Sequence, residues 1–232
     1  MQSGRAPDAT QSWWEVQGHW VEAVNQRRGG SSGMQCVEDP QSGVRYYVKR
    51  QINHLYRDLQ FPTGRPTLLR EWLNLKRCEK LGIPTPQPVF FDMRKGASGW
   101  EAILVTRGLD NYISLEQGLK SRQWNDAQWH DILHALAETL ARLHQARRKH
   151  GHLYPKEVFV RAGAEVSIAL LDWEMGRYTG RRHWAARSDL GRLWRSLISD
   201  GGIPEADRQQ FMQHYQSLTG LRGLRLRGLD DG

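Results

Sequence analysis

A chain of 232 residues has room for one domain or for two lobes sharing one cleft, and 39% apolar content with a mean hydropathy of −0.68 excludes disorder throughout. No run approaches the ~20 apolar residues of a membrane span, the opening MQSGRAPDATQS lacks a signal peptide's basic and apolar regions, which predicts a cytoplasmic protein, and Cys36 and Cys78 are too few for a disulfide framework or a four-ligand zinc site. Thirty-three Lys+Arg against 25 Asp+Glu give a net charge of +8, and 26 of those cations are arginine, so the expected partners are anions suited to guanidinium: nucleic acid, an anionic membrane face or a phosphorylated substrate.

Residues 1–12 are polar and read as a flexible leader. From Trp20 to Asn25 apolar and polar residues alternate as in a half-buried strand; MQCVED and VRYYVKRQ follow as two more, with a loop carrying Gly29, Gly30 and Gly33 between the first and second. Helical spacing of Leu68, Leu69, Trp72, Leu73, Leu75 and Leu81 predicts a helix over 67–81, with Thr67 as N-cap and Gly82 and Pro84 as the stop. Strands are predicted over 88–91 and 102–106. A capping box at Ser114 to Gln117 opens a short helix, and Asn125 or Asp126 caps a long one with Trp129, Leu133, Leu136, Leu140 and Leu143 on one face and Arg147 to Lys149 in its last turn. VFVR and VSIALL read as a hairpin ending at Asp172. Helices at about 187–199 and 204–219 and a basic tail, LRGLRLRGLDDG, complete the chain.

A sheet with one helix, then a helical half with a short hairpin ending in Asp, is the order of an α+β, protein-kinase-like fold of two lobes. The expected N-lobe, an antiparallel sheet with one helix, covers 13–107; the mainly helical C-lobe covers 108–221; the tail covers 222–232. Four stretches make the resemblance specific: YYVKRQ, TLLREWLNL, HGHLYPKEVFV and LLDWEMGR, in that order. Together, over roughly residues 13–200, they resemble the lipopolysaccharide kinase family, the Kdo/WaaP group, and within it the InaA-like branch.

The resemblance implies an ATP-dependent kinase, with ATP and Mg²⁺, acting on heptose or Kdo of the lipopolysaccharide core at the cytoplasmic face of the inner membrane. It implies that Lys49 reaches the α- and β-phosphates and is held by Glu71, and that Asp172, in Asp-Trp-Glu, holds Mg²⁺ with Glu174 in support. Gly29, Gly30 and Gly33, with Arg27 and Arg28 beside them, would cradle phosphates through open backbone N–H groups. The adenine would lie against the backbone at Thr106 to Leu109, Gly108 included. Aligned with H-R-D-L-x-x-x-N, HGHLYPKE puts His150 first, His152 where the base Asp stands and Glu157 where the metal-binding Asn stands. A neutral histidine accepts a proton near pH 7 and a glutamate binds Mg²⁺, so His152 is the candidate base and Glu157 the second metal ligand. Asp189 would support the loop from behind. Arg177, Arg181 and Arg182 would face an anionic acceptor, with peripheral contact to an anionic membrane.

Plainer readings stand beside these. Lys49 also reads as an ordinary strand lysine, Glu71 as a first-turn glutamate favoured by the helix dipole, Asp189 as an N-terminal carboxylate of its helix and the arginines as a solvated face. The departures at His152 and Glu157 also fit a kinase-like stress or regulatory protein without turnover, one that binds nucleotide or not. No helix-turn-helix, RNP or zinc-finger pattern is present, so no specific nucleic acid is expected.

Overall fold

In a computed structural model of the chain the described residues are 12–27, 30–199, 202–226 and 229. The chain divides into two compact units: Met1–Lys76 with Pro86–Leu109, and Arg77–Thr85 with Asp110–Gly232. The division differs from the expected break near 107, because residues 77–85 count with the second unit.

The first unit is built on β1 (His19–Arg27), β2 (Gly30–Glu38), β3 (Arg45–Ile52), the short pair β4 (Leu55–Tyr56) and β5 (Arg65–Pro66), α1 (Thr67–Leu81) as far as Lys76, β6 (Gln87–Gly96) and β7 (Gly99–Arg107). Five of the strands form one antiparallel sheet in the order β1-β2-β3-β7-β6. Strand geometry sends successive side chains to opposite faces. Along β3, Val48 enters an apolar cluster with Val16, Val37, Ile103 and Val105, and Arg50 donates to the carbonyls of Trp13 and Val16. Lys49 and Gln51 therefore point the other way, where Gln51 accepts from the Thr67 hydroxyl at 2.7 Å. That bond uses the hydroxyl expected to cap α1.

On α1 the fully buried positions are Leu68, Glu71, Asn74, Leu75 and Cys78, whereas Leu69, Trp72 and Leu73 are half-buried. The helix thus turns two polar side chains inward. Glu71 is its fifth residue, past the first turn, so the dipole reading of this glutamate does not hold.

The second unit adds β8 (Ile113–Ser114), α2 (Leu115–Lys120), α3 (Asp126–Gln145), β9 (Arg148–Lys149), β10 (Val158–Arg161), β11 (Ser167–Leu170), β12 (Arg177–Tyr178), α4 (Arg182–Ser199) and α5 (Glu205–Thr219). Asn125 and Gln128 close the capping box of α3. Leu133, Leu136, Leu140, Leu193, Trp194, Phe211 and Tyr215 fill the core. The Trp129 indole donates to Asp207 on α5 at 2.7 Å. The unit also holds two small sheets, β11-β10-β8 and β12-β9.

Several segments differ from expectation. α3 stops at Gln145; Arg147 takes a left-handed φ of 56°, and Arg148 and Lys149 pair with Tyr178 and Arg177 as a ladder. α4 begins at Arg182, earlier than expected, which places Asp189 in its interior rather than at its start. Leu224 and Leu226 of the basic tail are buried. The glycine loop is also shorter than expected: Gly30 and Gly33 lie in β2, paired with the chain at Arg27 and Arg50, while Gly29 and Arg28 fall outside the described residues. A Cβ at Gly30 would stand 2.6 Å from the Ile52 carbonyl oxygen, and one at Gly33 would stand 2.7 Å from the Trp20 ring. Close approach within the sheet accounts for both glycines.

Candidate active site

Within the first unit, strand β3 and helix α1 place a lysine against a glutamate. Lys49 Nζ stands 3.1 Å from Glu71 Oε2, with the two side chains 20% and 10% exposed. A pair this sheltered is worth more as a positioned charge than as stability, since desolvation offsets most of the attraction. Thr106 lies opposite Tyr47 in the β3–β7 ladder. The Gly108 N–H donates to the Arg45 carbonyl at 2.7 Å, and a Cβ there would press on the Tyr47 ring at 3.0 Å.

Within the second unit, residues 150–157 form a braced loop. Asp189, 1% exposed, accepts from the N–H of His150 at 2.6 Å and the N–H of Gly151 at 2.9 Å. Its third partner is His144 Nε2 at 3.3 Å, whose Nδ1 in turn meets the Tyr215 hydroxyl at 2.8 Å. Burial alone would raise the Asp189 carboxyl, but the hydrogen bond and charge of His144, with the hydrogen bond from the Gly151 N–H, hold it below the usual carboxylate range. Burial also pushes the Tyr215 hydroxyl up, so it stays protonated. Gly151 sits at φ 83°, and a Cβ there would meet the Met175 carbonyl oxygen at 2.6 Å; only glycine fits. Arg192 donates to the Gly151 carbonyl at 2.7 Å.

His150 links this loop to the strand that ends at Asp172. Its Nε2 meets the Leu171 carbonyl at 2.7 Å, so Nε2 carries the proton, and its ring packs on Trp173. Burial lowers the His150 pKa despite the nearby Asp189 charge, and the ring is neutral. The Leu171 N–H also donates to the Glu157 carbonyl at 2.9 Å. Two bonds on Leu171 thus hold the loop beside Asp172, which adopts a left-handed φ of 58°.

The result is a cluster in which His152, Glu157 and Asp172 each offer a ligand atom within 4.8 Å of the others. His152 Nδ1 lies 3.4 Å from Asp172 Oδ2, and Lys156 Nζ lies 3.2 Å from Glu157 Oε1. That hydrogen bond and charge raise the Lys156 pKa, so this lysine is a fixed cation. Two carboxylates and one imidazole fit a divalent cation, and three protein ligands leave positions for the oxygens of a bound substrate. Glu174 is half-buried in the turn after Asp172. Arg177 and Arg181 are exposed on and after β12; Arg182 reaches the Thr219 carbonyl at 3.5 Å, at the end of α5.

Sequence reasoning passed over His144 and Tyr215, two residues that brace the loop from behind. His144 did leave a signal: it follows Leu136, Leu140 and Leu143 on the apolar face of a helix, where a histidine is buried and must find partners.

A profile of the lipopolysaccharide kinase (Kdo/WaaP) family matches residues 11–215. Protein InaA of Escherichia coli (strain K12) is 33% identical over 214 residues, covering 91% of this chain and 97% of that protein. Both matches run through Lys49, the braced loop and Asp172, and on that extent the chain belongs to the lipopolysaccharide kinase (Kdo/WaaP) family.

Proposed function

We propose that this protein is an ATP-dependent kinase that phosphorylates a sugar hydroxyl, of heptose or Kdo, in the lipopolysaccharide core at the cytoplasmic face of the inner membrane. The observation that carries the reading is the convergence of His152, Glu157 and Asp172 on a loop braced by buried Asp189, in a chain of a kinase family.

Lys49, kept in place by Glu71, neutralises the α- and β-phosphates of ATP. Asp172 and Glu157 hold a divalent cation, which when bound offsets the charge that builds on the phosphate oxygens. Asp189, His150 and Arg192 keep the loop rigid so that these side chains do not have to reorganise during reaction. In the transfer, the bond from the γ-phosphorus to the ADP oxygen breaks, a bond to the sugar oxygen forms, and the hydroxyl proton is released to water. The transition state is loose, so positioning and charge matter more than a strong base. Arg177 and Arg181 attract an anionic acceptor and the membrane that carries it. Gly30 and Gly33 act through the packing of β2.

A second reading, a kinase-like protein that binds nucleotide without turnover, draws on His152 and Glu157 at positions where the kinase motif has Asp and Asn. Incubation with ATP and dephosphorylated core lipopolysaccharide, followed by phosphorus NMR of the sugar, separates the two. A new sugar monophosphate resonance is the expected result; nucleotide binding with an unchanged sugar spectrum would establish the second reading.

A further inference from the structure

His152 Nδ1 is shielded from solvent and has no hydrogen-bond partner, although Asp172 Oδ2 lies only 3.4 Å away. A buried ring nitrogen is normally satisfied. This one lies beside the Asp172 carboxylate, and its ring packs edge-on against Tyr154, at 4.8 Å between centroids, itself beneath the Arg192 guanidinium at 5.4 Å. One ring nitrogen of His152 and one oxygen from each of Glu157 and Asp172 lie within 4.8 Å of one another.

We propose that His152 is a metal ligand through Nδ1, and that the His152–Glu157–Asp172 set takes Mn²⁺ in preference to Mg²⁺. The inference shares with the kinase reading only the placing of a divalent cation at Asp172 and Glu157. Mg²⁺ demands hard oxygen ligands and keeps its waters, whereas imidazole nitrogen suits first-row transition ions. Mn²⁺ accepts both kinds of donor. An Asp in the place of His152 would make the set all-oxygen and remove the preference. Ligation also fixes the tautomer: with Nδ1 on the cation, the remaining proton sits on Nε2, so His152 can donate a hydrogen bond but cannot act as the base. Its position in the loop motif is then one of metal selection.

The test is electron paramagnetic resonance of Mn²⁺ added to the full chain without nucleotide, on wild type and His152→Asp, with Mg²⁺ as competitor and His152→Gln as a second variant. Wild type is expected to bind Mn²⁺ with nitrogen coupling in the pulsed spectrum. His152→Asp is expected to bind it without that coupling, and the Mn²⁺-over-Mg²⁺ preference is expected to fall about 10- to 100-fold. His152→Gln, which supplies no nitrogen ligand, is also expected to lose the coupling, with its melting curve checking that it is folded. Mn²⁺ bound to wild type with no nitrogen coupling, a preference unchanged in His152→Asp, or no Mn²⁺ bound at all would each overturn the inference. Nitrogen-coupled Mn²⁺ in a protein that transfers no phosphate would support it while overturning the kinase reading alone.

Discussion

Asp189 is a carboxylate with 1% of its surface exposed, holding two backbone N–H groups and one imidazole. Asp189→Asn keeps the shape but removes the charge those donors were arranged around, and is expected to cost about 3 kcal/mol at neutral pH by urea unfolding. Because the folded carboxyl titrates below its ordinary 3.8, this stabilisation is complete above that value and fades as pH falls through the folded pKa. The gap between wild type and Asp189→Asn is therefore expected to be flat down to about pH 4 and to narrow below it. His150 acts on a different window. Its folded pKa lies below 6.5, so stability is full above 6.5 and declines as pH drops through it, because the unfolded chain takes up a proton the buried ring refuses. Urea midpoints measured at about pH 7.5 and 5.5 should fall in wild type and fall less in His150→Gln; equal declines would refute this assignment. At this scale the sequence was informative where partners are close in pattern. Lys49 faces Glu71 because strand alternation and helix spacing both direct them inward. The bracing by His144 and Tyr215 joins residues 71 positions apart, and no local pattern encodes that.

Among elements, the loop 150–157 depends most on one backbone conformation. Gly151→Ala must place a Cβ 2.6 Å from the Met175 carbonyl at a positive φ, so it is expected to destabilise by about 1–3 kcal/mol and to weaken metal binding at His152, Glu157 and Asp172. Gly43→Ala, also at positive φ but with open space around it, isolates the backbone cost and should leave metal binding unchanged. Calorimetry on both variants checks the pair. Elements legible in the sequence were those with a strong period or a clear cap: β3, α1, α2, α5 and the start of α3. The end of α3 was not, because Arg148 and Lys149 are good helix formers whose pairing with β12 comes from 28 to 30 residues further on. Gly30 and Gly33 misled for a related reason. Glycine marks loops, but it also marks places where chain or side chain comes close, and here the carbonyl of Ile52 and the ring of Trp20 do so.

For the whole molecule, charge and exposed aromatic surface act together. Residues 175–188 contain four arginines and no acidic residue, and Met175, Tyr178 and Trp184 are exposed among them, with Arg181 over the Trp184 ring at 5.0 Å. No helix among the described residues is long and apolar enough to cross a membrane, so any membrane contact of these residues is from one side. Aromatic rings and arginines of this kind suit the headgroup region of an anionic leaflet, each cation adding about 1 kcal/mol near the surface. Sedimentation with vesicles of mixed neutral and anionic lipid is expected to carry the protein down, with neutral vesicles leaving it in solution. Replacing Arg177, Arg181 and Trp184 together should lower the bound fraction about tenfold or more. Binding that is indifferent to lipid charge would count against this surface.

The measurement that bears most directly on function is transfer of labelled γ-phosphate from ATP to core lipopolysaccharide, run on wild type, Asp172→Ala and Lys49→Ala, with Mn²⁺ and with Mg²⁺. Melting curves confirm that each variant is folded. Label on the sugar with wild type, reduced about a hundredfold or more in both folded variants, is the expected result. Equal label with folded Asp172→Ala, or none with wild type that binds ATP, would contradict it.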